Sequence, residues 1–141
     1  SSEGMLEVLR GKVEAGGVDG VRAEHVDLGK GDRLEGRYDL IVSSMTLHHV
    51  RDLGGLLAAF ADVAAPGAHI ALVDLDSEGG LFHENNEGVF HFGFDRAALR
   101  RELEQAGFVD VRDSTAAEVV KPSSDGEMRR FSIFLLTGRR P

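Results

Sequence analysis

The sequence contains no cysteine among its 141 residues, which excludes disulfide bonds, a nucleophilic thiolate and a cysteine-ligated zinc site. It also lacks a run of about 18 apolar residues, the length that a membrane-spanning helix needs, so we expect no membrane partner. The first residues, Ser1-Ser2-Glu3, lack an initiator methionine and the pattern of a signal peptide. We interpret this terminus as a cut or processed end and predict a cytoplasmic protein.

Basic residues are scarce relative to acidic ones, at 16 against 24, and the formal net charge is −8. Proteins that bind nucleic acid normally present a basic face. The arginine pairs at 129–130 and 139–140 lie at the ends of predicted strands, where solvation of the strand ends accounts for them. We therefore expect no nucleic-acid partner.

The remaining composition is that of an ordinary globular protein, with 42% apolar and 28% charged residues. A chain of this length buries roughly 70% of its unfolded surface and usually forms one domain. Residues 1–141 are therefore predicted to form a single domain.

Apolar spacing alternates between the helical and the extended pattern in the first half of the chain. Double glycine ends the first helix, and Asp52 is placed to cap the second. The predicted elements are helix Met5–Ala15, strand Val21–Leu28, strand Tyr38–Ser44, helix Leu53–Ala64, a turn at Ala65–Gly67 and strand His69–Leu75.

The second half begins with a long polar loop, Ser77–Gly93, and loops of this length are usually functional or mobile. A helix then opens at Asp95 and runs to about Ala106. Two strands, Val109–Val120 and Met128–Thr137, read as a hairpin. Since the earlier strands alternate with helices, the predicted fold is α/β, with a mostly parallel sheet that ends in an antiparallel hairpin.

Two apolar strands carry polar groups at their carboxyl ends, where open α/β sheets bind ligands. The block Tyr38–Val50 reads YDLIVSSMTLHHV, and the strand HIALVDLD ends in Asp74 and Asp76. No glycine-rich nucleotide loop precedes these strands. The pattern is that of a nucleotide-type fold whose first third is missing.

The histidines leave several roles open. Because His48 and His49 are adjacent, we expect only one of them, His49, to face a cleft. It is a candidate general base, since the unperturbed pKa of histidine lies near 6.5; holding the strand-to-helix turn is the alternative. A metal site that includes Asp74 or Asp76 is conceivable, but no HxxxH or HxH spacing supports one, so no metal is predicted.

The order of these segments is similar to that of the class I S-adenosylmethionine-dependent methyltransferases. The resemblance covers nearly the whole chain and rests on YDLIVSSMTLHHV, APGAHIALVDLD and FDRAALRRELEQAGF. It implies a Rossmann-like sheet whose final strand is inserted antiparallel. It also implies an N-terminally truncated domain, because SSEGMLEVLR resembles the helix after the second strand. The first strand, the glycine-rich cofactor loop and the second strand would then lie outside this sequence.

The resemblance also assigns cofactor contacts. Asp27 would accept a hydrogen bond from the adenine amino group of S-adenosylmethionine, and Leu28 would offer its backbone amide to the ring. The plainer alternative is that Asp27 only begins a turn. Ser43 and Ser44 would line the methionine part of the cofactor, or would merely cap the strand. Without the glycine-rich loop, weak or no cofactor binding is expected.

His49, as the second histidine of the LHHV pattern, and His91 are the candidate catalytic residues. His91, His83 and Phe92 lie on the loop that often covers the substrate in this family, and His83 and Phe92 are the candidate contacts to a small-molecule acceptor. The resemblance thus implies a methyltransferase, inactive as this chain alone. The alternative is a non-catalytic Rossmann-like binding or interaction module.

Truncation would leave one edge of the apolar strand Tyr38–Ser44 unpaired, and exposed edges recruit partners. We expect this edge to pair with a second copy of the chain, as a homodimer, or to be filled by Val21–Asp27.

Overall fold

The computed structural model describes residues 2–141. The chain divides into two units, Ser1–Leu34 and Glu35–Pro141, which are described in turn. The expectation that residues 1–141 form one domain stays a prediction. Among the described residues, none of the helices is both long and apolar enough to cross a bilayer.

The first unit holds the helix α1, Glu3–Gly16, as its main element. The Ser2 hydroxyl accepts a hydrogen bond from the backbone N–H of Met5, and Gly17 ends the helix in a left-handed conformation with φ 58°. Both ends follow the usual capping chemistry. None of the residues of α1 is fully buried, although Leu6 and Val13 are half-buried.

The strand predicted at Val21–Leu28 is wrong. Residues 21–27 have no regular secondary structure, and Leu28–Lys30 form one short 3₁₀ turn. A strand needs a neighbouring strand for its backbone hydrogen bonds, and the described part of the first unit contains none. Alternation of Val21, Ala23 and His25 is therefore not enough to make a strand.

The second unit is built on a sheet of four strands in the order β1-β2-β4-β3. β1 and β2 are parallel, whereas β4 pairs antiparallel with both β2 and β3. This arrangement confirms the predicted mixed sheet with its terminal hairpin. The strands are β1 (Tyr38–Ser44), β2 (Ala64–Leu75), β3 (Val109–Pro122) and β4 (Met128–Arg139).

Two helices connect and cover the strands. α2, Leu53–Val63, links β1 to β2 and so makes their parallel pairing possible. α3, Arg96–Gln105, precedes the hairpin. Asp52 and Asp95 cap them by accepting hydrogen bonds from backbone N–H groups three residues on, as their side-chain chemistry predicts.

β2 differs from its prediction because it begins at Ala64 rather than at His69. The turn expected at Ala65–Gly67 is a bulge within the strand: the pairing steps from Tyr38–Ala64 directly to Leu40–His69. Gly67 has φ 81° there, and its N–H donates to the carbonyl of Arg140 at 2.9 Å. A glycine thus lets the strand kink without leaving the sheet.

The core lies on the central strands β2 and β4, against α2 and α3. Each fully buried aliphatic or aromatic side chain contributes about 1.5–3 kcal/mol. The largest of them are Phe108, Phe134, Leu47, Leu57, Ile70, Leu72, Leu75, Leu99, Leu103 and Leu136.

Candidate functional site

The carboxyl ends of β1 and β2 form the floor of the candidate site. Ser43 and Ser44 end β1, as predicted; Ser43 is half-buried and Ser44 exposed. Met45 then adopts a positive φ of 52°, a strained conformation for a residue with a side chain. Its N–H donates to the carbonyl of Val73 at 2.8 Å. This sharp bend directs the following LHH segment across the end of β2.

Asp74 and His48 form a buried pair beneath the site. The Nδ1 of His48 lies 2.6 Å from Oδ1 of Asp74, and the two side chains are 2% and 0% exposed. The carboxylate also accepts the backbone N–H of Leu75 at 2.8 Å and that of His48 at 3.3 Å. Since a carboxylate accepts, Nδ1 carries a proton, so in the neutral ring Nε2 is the nitrogen with the free lone pair.

Asp76 serves a different partner, Arg96 on α3. The guanidinium binds both carboxylate oxygens, at 2.7 and 2.6 Å. The Arg96 hydrogen bonds lower the pKa of Asp76 most strongly; burial opposes this shift, and a hydrogen bond from Ser132 adds to it. Asp76 is therefore a fixed anion that fastens α3 to the end of β2.

The loop 77–93 closes tightly at its base. Phe94 donates its N–H to Leu75 at 2.9 Å, and Glu78 donates to the carbonyl of Phe92 at 3.0 Å. The loop folds back over the LHH segment, because the His48 carbonyl accepts from the N–H groups of Phe90 and His91, at 2.9 and 3.2 Å. It is an Ω-type loop, a compact surface loop whose ends meet.

His83 comes down from this loop onto the two histidines of the LHH segment. Its ring centroid lies 5.0 Å from that of His48 and 5.6 Å from that of His49. Burial lowers the pKa of His83 most, and the nearby His48 and His49 lower it further, against the opposing effect of Glu78. The Nε2 of His83 is buried and has no hydrogen-bond partner.

His49 is exposed beside the buried His48, and their ring centroids are 4.2 Å apart. Of the two, only His49 is exposed to solvent, and its role in a substrate cleft stays a prediction. Leu47–His49 form a 3₁₀ turn, in which successive side chains are about 120° apart, so both rings can turn toward His83. The Nδ1–H of His49 donates to the Gly88 carbonyl at 2.9 Å, which leaves Nε2 free to accept.

His91 lies outside this cluster of histidines. Its Nε2 is 2.9 Å from the carbonyl of Val50, so that nitrogen carries a proton and ties the loop to the turn after β1. Its ring packs 5.1 Å from the ring of Phe94. Phe92 is 47% exposed. The catalytic role of His91 and the substrate contact of Phe92 stay predictions.

Asp27 and Leu28 lie in the first unit, at a turn rather than at a strand end. Asp27 caps the 3₁₀ turn by accepting from the N–H of Gly29 at 3.1 Å. This geometry corrects the predicted strand end and agrees with the plainer interpretation that Asp27 begins a turn. Their contacts with adenine, and those of Ser43 and Ser44 with the methionine part, stay predictions.

A second recess lies at the same end of β2, between the base of the loop and the start of β4. It has a volume of about 450 Å³ and is open to solvent. Its lining includes Asp76, Glu78, Leu81, Arg129, Arg130 and Phe131.

The sheet, with a parallel first pair, a terminal antiparallel hairpin and polar groups at the strand ends, defines a Rossmann-like domain of the methyltransferase type. The family profile described as "Methyltransferase domain" matches residues 4–112. The chain belongs to this family, the class I S-adenosylmethionine-dependent methyltransferases.

Solved structures share the fold at low sequence identity. A putative methyltransferase from Bacillus halodurans superposes with a TM-score of 0.74 at 16% identity, over 99% of this chain and 80% of that chain. The YcgJ protein from Bacillus subtilis superposes with a TM-score of 0.79 at 13% identity, over 99% of this chain and 79% of that chain. The N-terminal domain of EvdMO1 with SAH bound superposes with a TM-score of 0.68 at 23% identity, over 100% of this chain and 63% of that chain. A comparison with curated proteins gives no match.

Proposed function

We propose that the protein transfers a methyl group from S-adenosylmethionine to a small-molecule acceptor. Membership of the methyltransferase domain family, matched over residues 4–112, carries this proposal. The polar carboxyl ends of β1 and β2, with a closed loop above them, supply the place for the reaction.

Methyl transfer demands alignment more than covalent chemistry, because the sulfonium carbon is already electrophilic. The main chain at Ser43 and Ser44 would hold the methionine part of the cofactor, and Asp27 and Leu28 the adenine. His49 is the general base in this proposal. Its Nδ1–H is committed to the Gly88 carbonyl, so its Nε2 can take a proton from the acceptor.

The loop 77–93 would enclose the acceptor. In this proposal His83 and Phe92 contact the acceptor, and His91 is a second catalytic residue beside it. A small molecule is favoured over nucleic acid by the net charge of −8. The absence of cysteine from the sequence is compatible with the cytoplasm, where we place the protein.

The cofactor proposal is supported by the EvdMO1 domain, which has been solved with SAH bound. For residues 1–141 alone we expect weak cofactor binding and no turnover, since the sequence has no glycine-rich loop to cradle the cofactor.

Calorimetry with S-adenosylmethionine and S-adenosylhomocysteine tests the proposal. The protein as its gene encodes it should bind either ligand in a 1:1 ratio, and residues 1–141 should bind far more weakly. His49→Gln should keep the heat of binding and lower methyl transfer to a small-molecule acceptor about 10²–10⁴-fold. No heat from the complete protein at saturating ligand would count against an enzyme.

A non-catalytic Rossmann-like binding or interaction module is the alternative. It would bind a small molecule without consuming S-adenosylmethionine. Product analysis after incubation of the protein as its gene encodes it with labelled cofactor separates the two functions.

A further inference from the structure

We infer that His48, His49 and His83 bind one divalent transition-metal ion, Zn²⁺ by preference, through one ring nitrogen each. These ligating atoms all lie within 4.8 Å of one another.

The distances among the three ligating nitrogens, at most 4.8 Å, approach those of a metal site. In a tetrahedral zinc centre with bonds of 2.0–2.1 Å, ligand nitrogens are about 3.3 Å apart. His48 is fixed by its burial, whereas His49 is exposed and His83 half-buried. Small rotations of the two outer side chains therefore bring the three nitrogens into range.

Two of the rings already have the orientation that a metal needs. His48 donates its Nδ1–H to the buried Asp74 carboxylate at 2.6 Å, and His49 donates its own to the Gly88 carbonyl at 2.9 Å. Metal-binding histidines almost always make such a bond through the other ring nitrogen, which fixes the tautomer. In both rings Nε2 is left with its lone pair.

His83 supplies an independent indication. Its Nε2 is buried and unpartnered, although buried polar atoms in folded proteins nearly always have a partner. A metal ion bound by the neighbouring rings gives this nitrogen the partner that the protein atoms do not provide.

The surrounding charges favour a cation. The carboxylate of Asp74 is in contact with the His48 ring. The negative charge of Glu78, in the loop, raises the pKa of His83. Glu78 also has one buried oxygen, Oε1, without a hydrogen-bond partner. The positive charge of Lys121 has the opposite effect, because it lowers the pKa of His83. Two carboxylates against one ammonium leave a net negative charge around the three imidazole rings.

The donor set selects the ion and leaves one position open. Imidazole suits zinc, copper, nickel and iron, whereas calcium and magnesium prefer oxygen. Three protein ligands, one of them exposed, match zinc sites that keep a water as the fourth ligand. The ion competes with a proton for the Nε2 of His49, so zinc should inhibit methyl transfer if His49 is the base.

The test is calorimetric titration of the chelator-treated protein with Zn²⁺ alone. We expect one ion per chain, and a d–d absorption spectrum of four-coordinate Co²⁺ when cobalt is added instead. His49→Gln and His83→Gln should each lower the Zn²⁺ affinity at least 100-fold. Asp74→Asn, which keeps the ligands but weakens the support of His48, should lower it 10–100-fold.

His69→Gln is the matched control, because His69 is exposed on β2 and lies outside the cluster. Its affinity for Zn²⁺ should equal that of the unaltered protein. The inference is wrong if binding does not saturate at one ion, or if folded His49→Gln keeps full affinity. His49 is exposed, so this variant should fold; circular dichroism checks it. A zinc-dependent rise in Tm, absent in His49→Gln, is the second readout.

Discussion

Asp76 and Arg96 show how one residue pair joins two elements at the edge of the candidate site. Arg96 also donates to the Thr115 hydroxyl at 3.0 Å and lies 3.6 Å from Asp113, so the guanidinium reaches from the end of β2 to β3. A two-pronged arginine–carboxylate bond is stronger and more directional than a single ion pair.

We predict that Asp76→Asn lowers the free energy of unfolding at neutral pH by about 1–2 kcal/mol. Because Arg96 lowers the pKa of Asp76 below 3.8 in the folded protein, the carboxylate contributes stability above pH 3.8 that is lost as the pH falls through the lowered pKa. Urea titrations between pH 7 and pH 2 measure this difference.

Arg96→Gln and the double variant complete the cycle for this pair. The coupling energy between the two positions should be present at pH 7 and should shrink in acid. A coupling energy that does not change with pH would show that the carboxylate charge is not what stabilises the pair.

His83 shows at the residue scale what the sequence could not reveal. The pair His48-His49 is visible in the sequence, but helix α2 and strand β2 separate it from His83. No local spacing rule links residues that meet only through tertiary folding. The Asp74–His48 pair was missed for the same reason, whereas the caps Asp52 and Asp95 act locally and were found.

The loop 77–93 is the element that shapes the site, and Gly93 is its closing position. Gly93 has φ +73°, and a Cβ placed there would lie 2.1 Å from the backbone oxygen of Asp76. Both the conformation and the space therefore require glycine. Gly88, in the same loop, has φ +75° but no atom near its Cβ position.

We predict that Gly93→Ala opens the base of the loop and costs about 2–4 kcal/mol of stability, through backbone strain and the forced displacement of Asp76. Amide exchange at Phe90 and His91, whose N–H groups bond to His48, should become much faster. Hydrogen-exchange mass spectrometry of this loop measures the effect.

Gly88→Ala is the control, because it meets the strained φ without the clash. It should cost only about 1–2 kcal/mol and leave exchange at Phe90 unchanged. Equal effects of the two substitutions would contradict the argument from close approach.

The elements themselves were predictable wherever one periodicity dominates. β1, α2, α3 and the hairpin β3–β4 follow from apolar spacing, capping and turn residues close to their observed bounds. The strand predicted at Val21–Leu28 does not form, because extended structure depends on a neighbouring strand. The prediction placed the start of β2 too late. A bulge at Gly67 carries the strand through a proline and a glycine, which usually mark a turn.

At the scale of the whole molecule, β1 is an edge strand with a single neighbour, β2, among the described residues. It exposes 42% of Tyr38, 59% of Leu40 and 61% of Val42. Edge strands with apolar side chains recruit other strands. We propose that this edge pairs with a second copy of the chain; the alternative is filling by Val21–Asp27, which form no strand in this structure.

We predict a concentration-dependent dimer in light scattering, and a monomer after Leu40→Lys, because a charge on the edge strand opposes pairing. Val120→Lys is the control: Val120 is 55% exposed on β3, the opposite edge, and its substitution should leave the dimer intact. A stable monomer with fast amide exchange along Ile41–Ser44 would refute pairing with a second copy and filling by Val21–Asp27 alike.

The buried bond between His48 and Asp74 also gives the molecule a native reporter. A ring proton held between two buried groups 2.6 Å apart is shielded from exchange with water and should resonate far downfield in a proton NMR spectrum. His48 contacts the loop through its carbonyl and His49 through its ring. Any ligand, ion or loop motion at this end of the sheet should therefore shift one well-resolved signal, without a label.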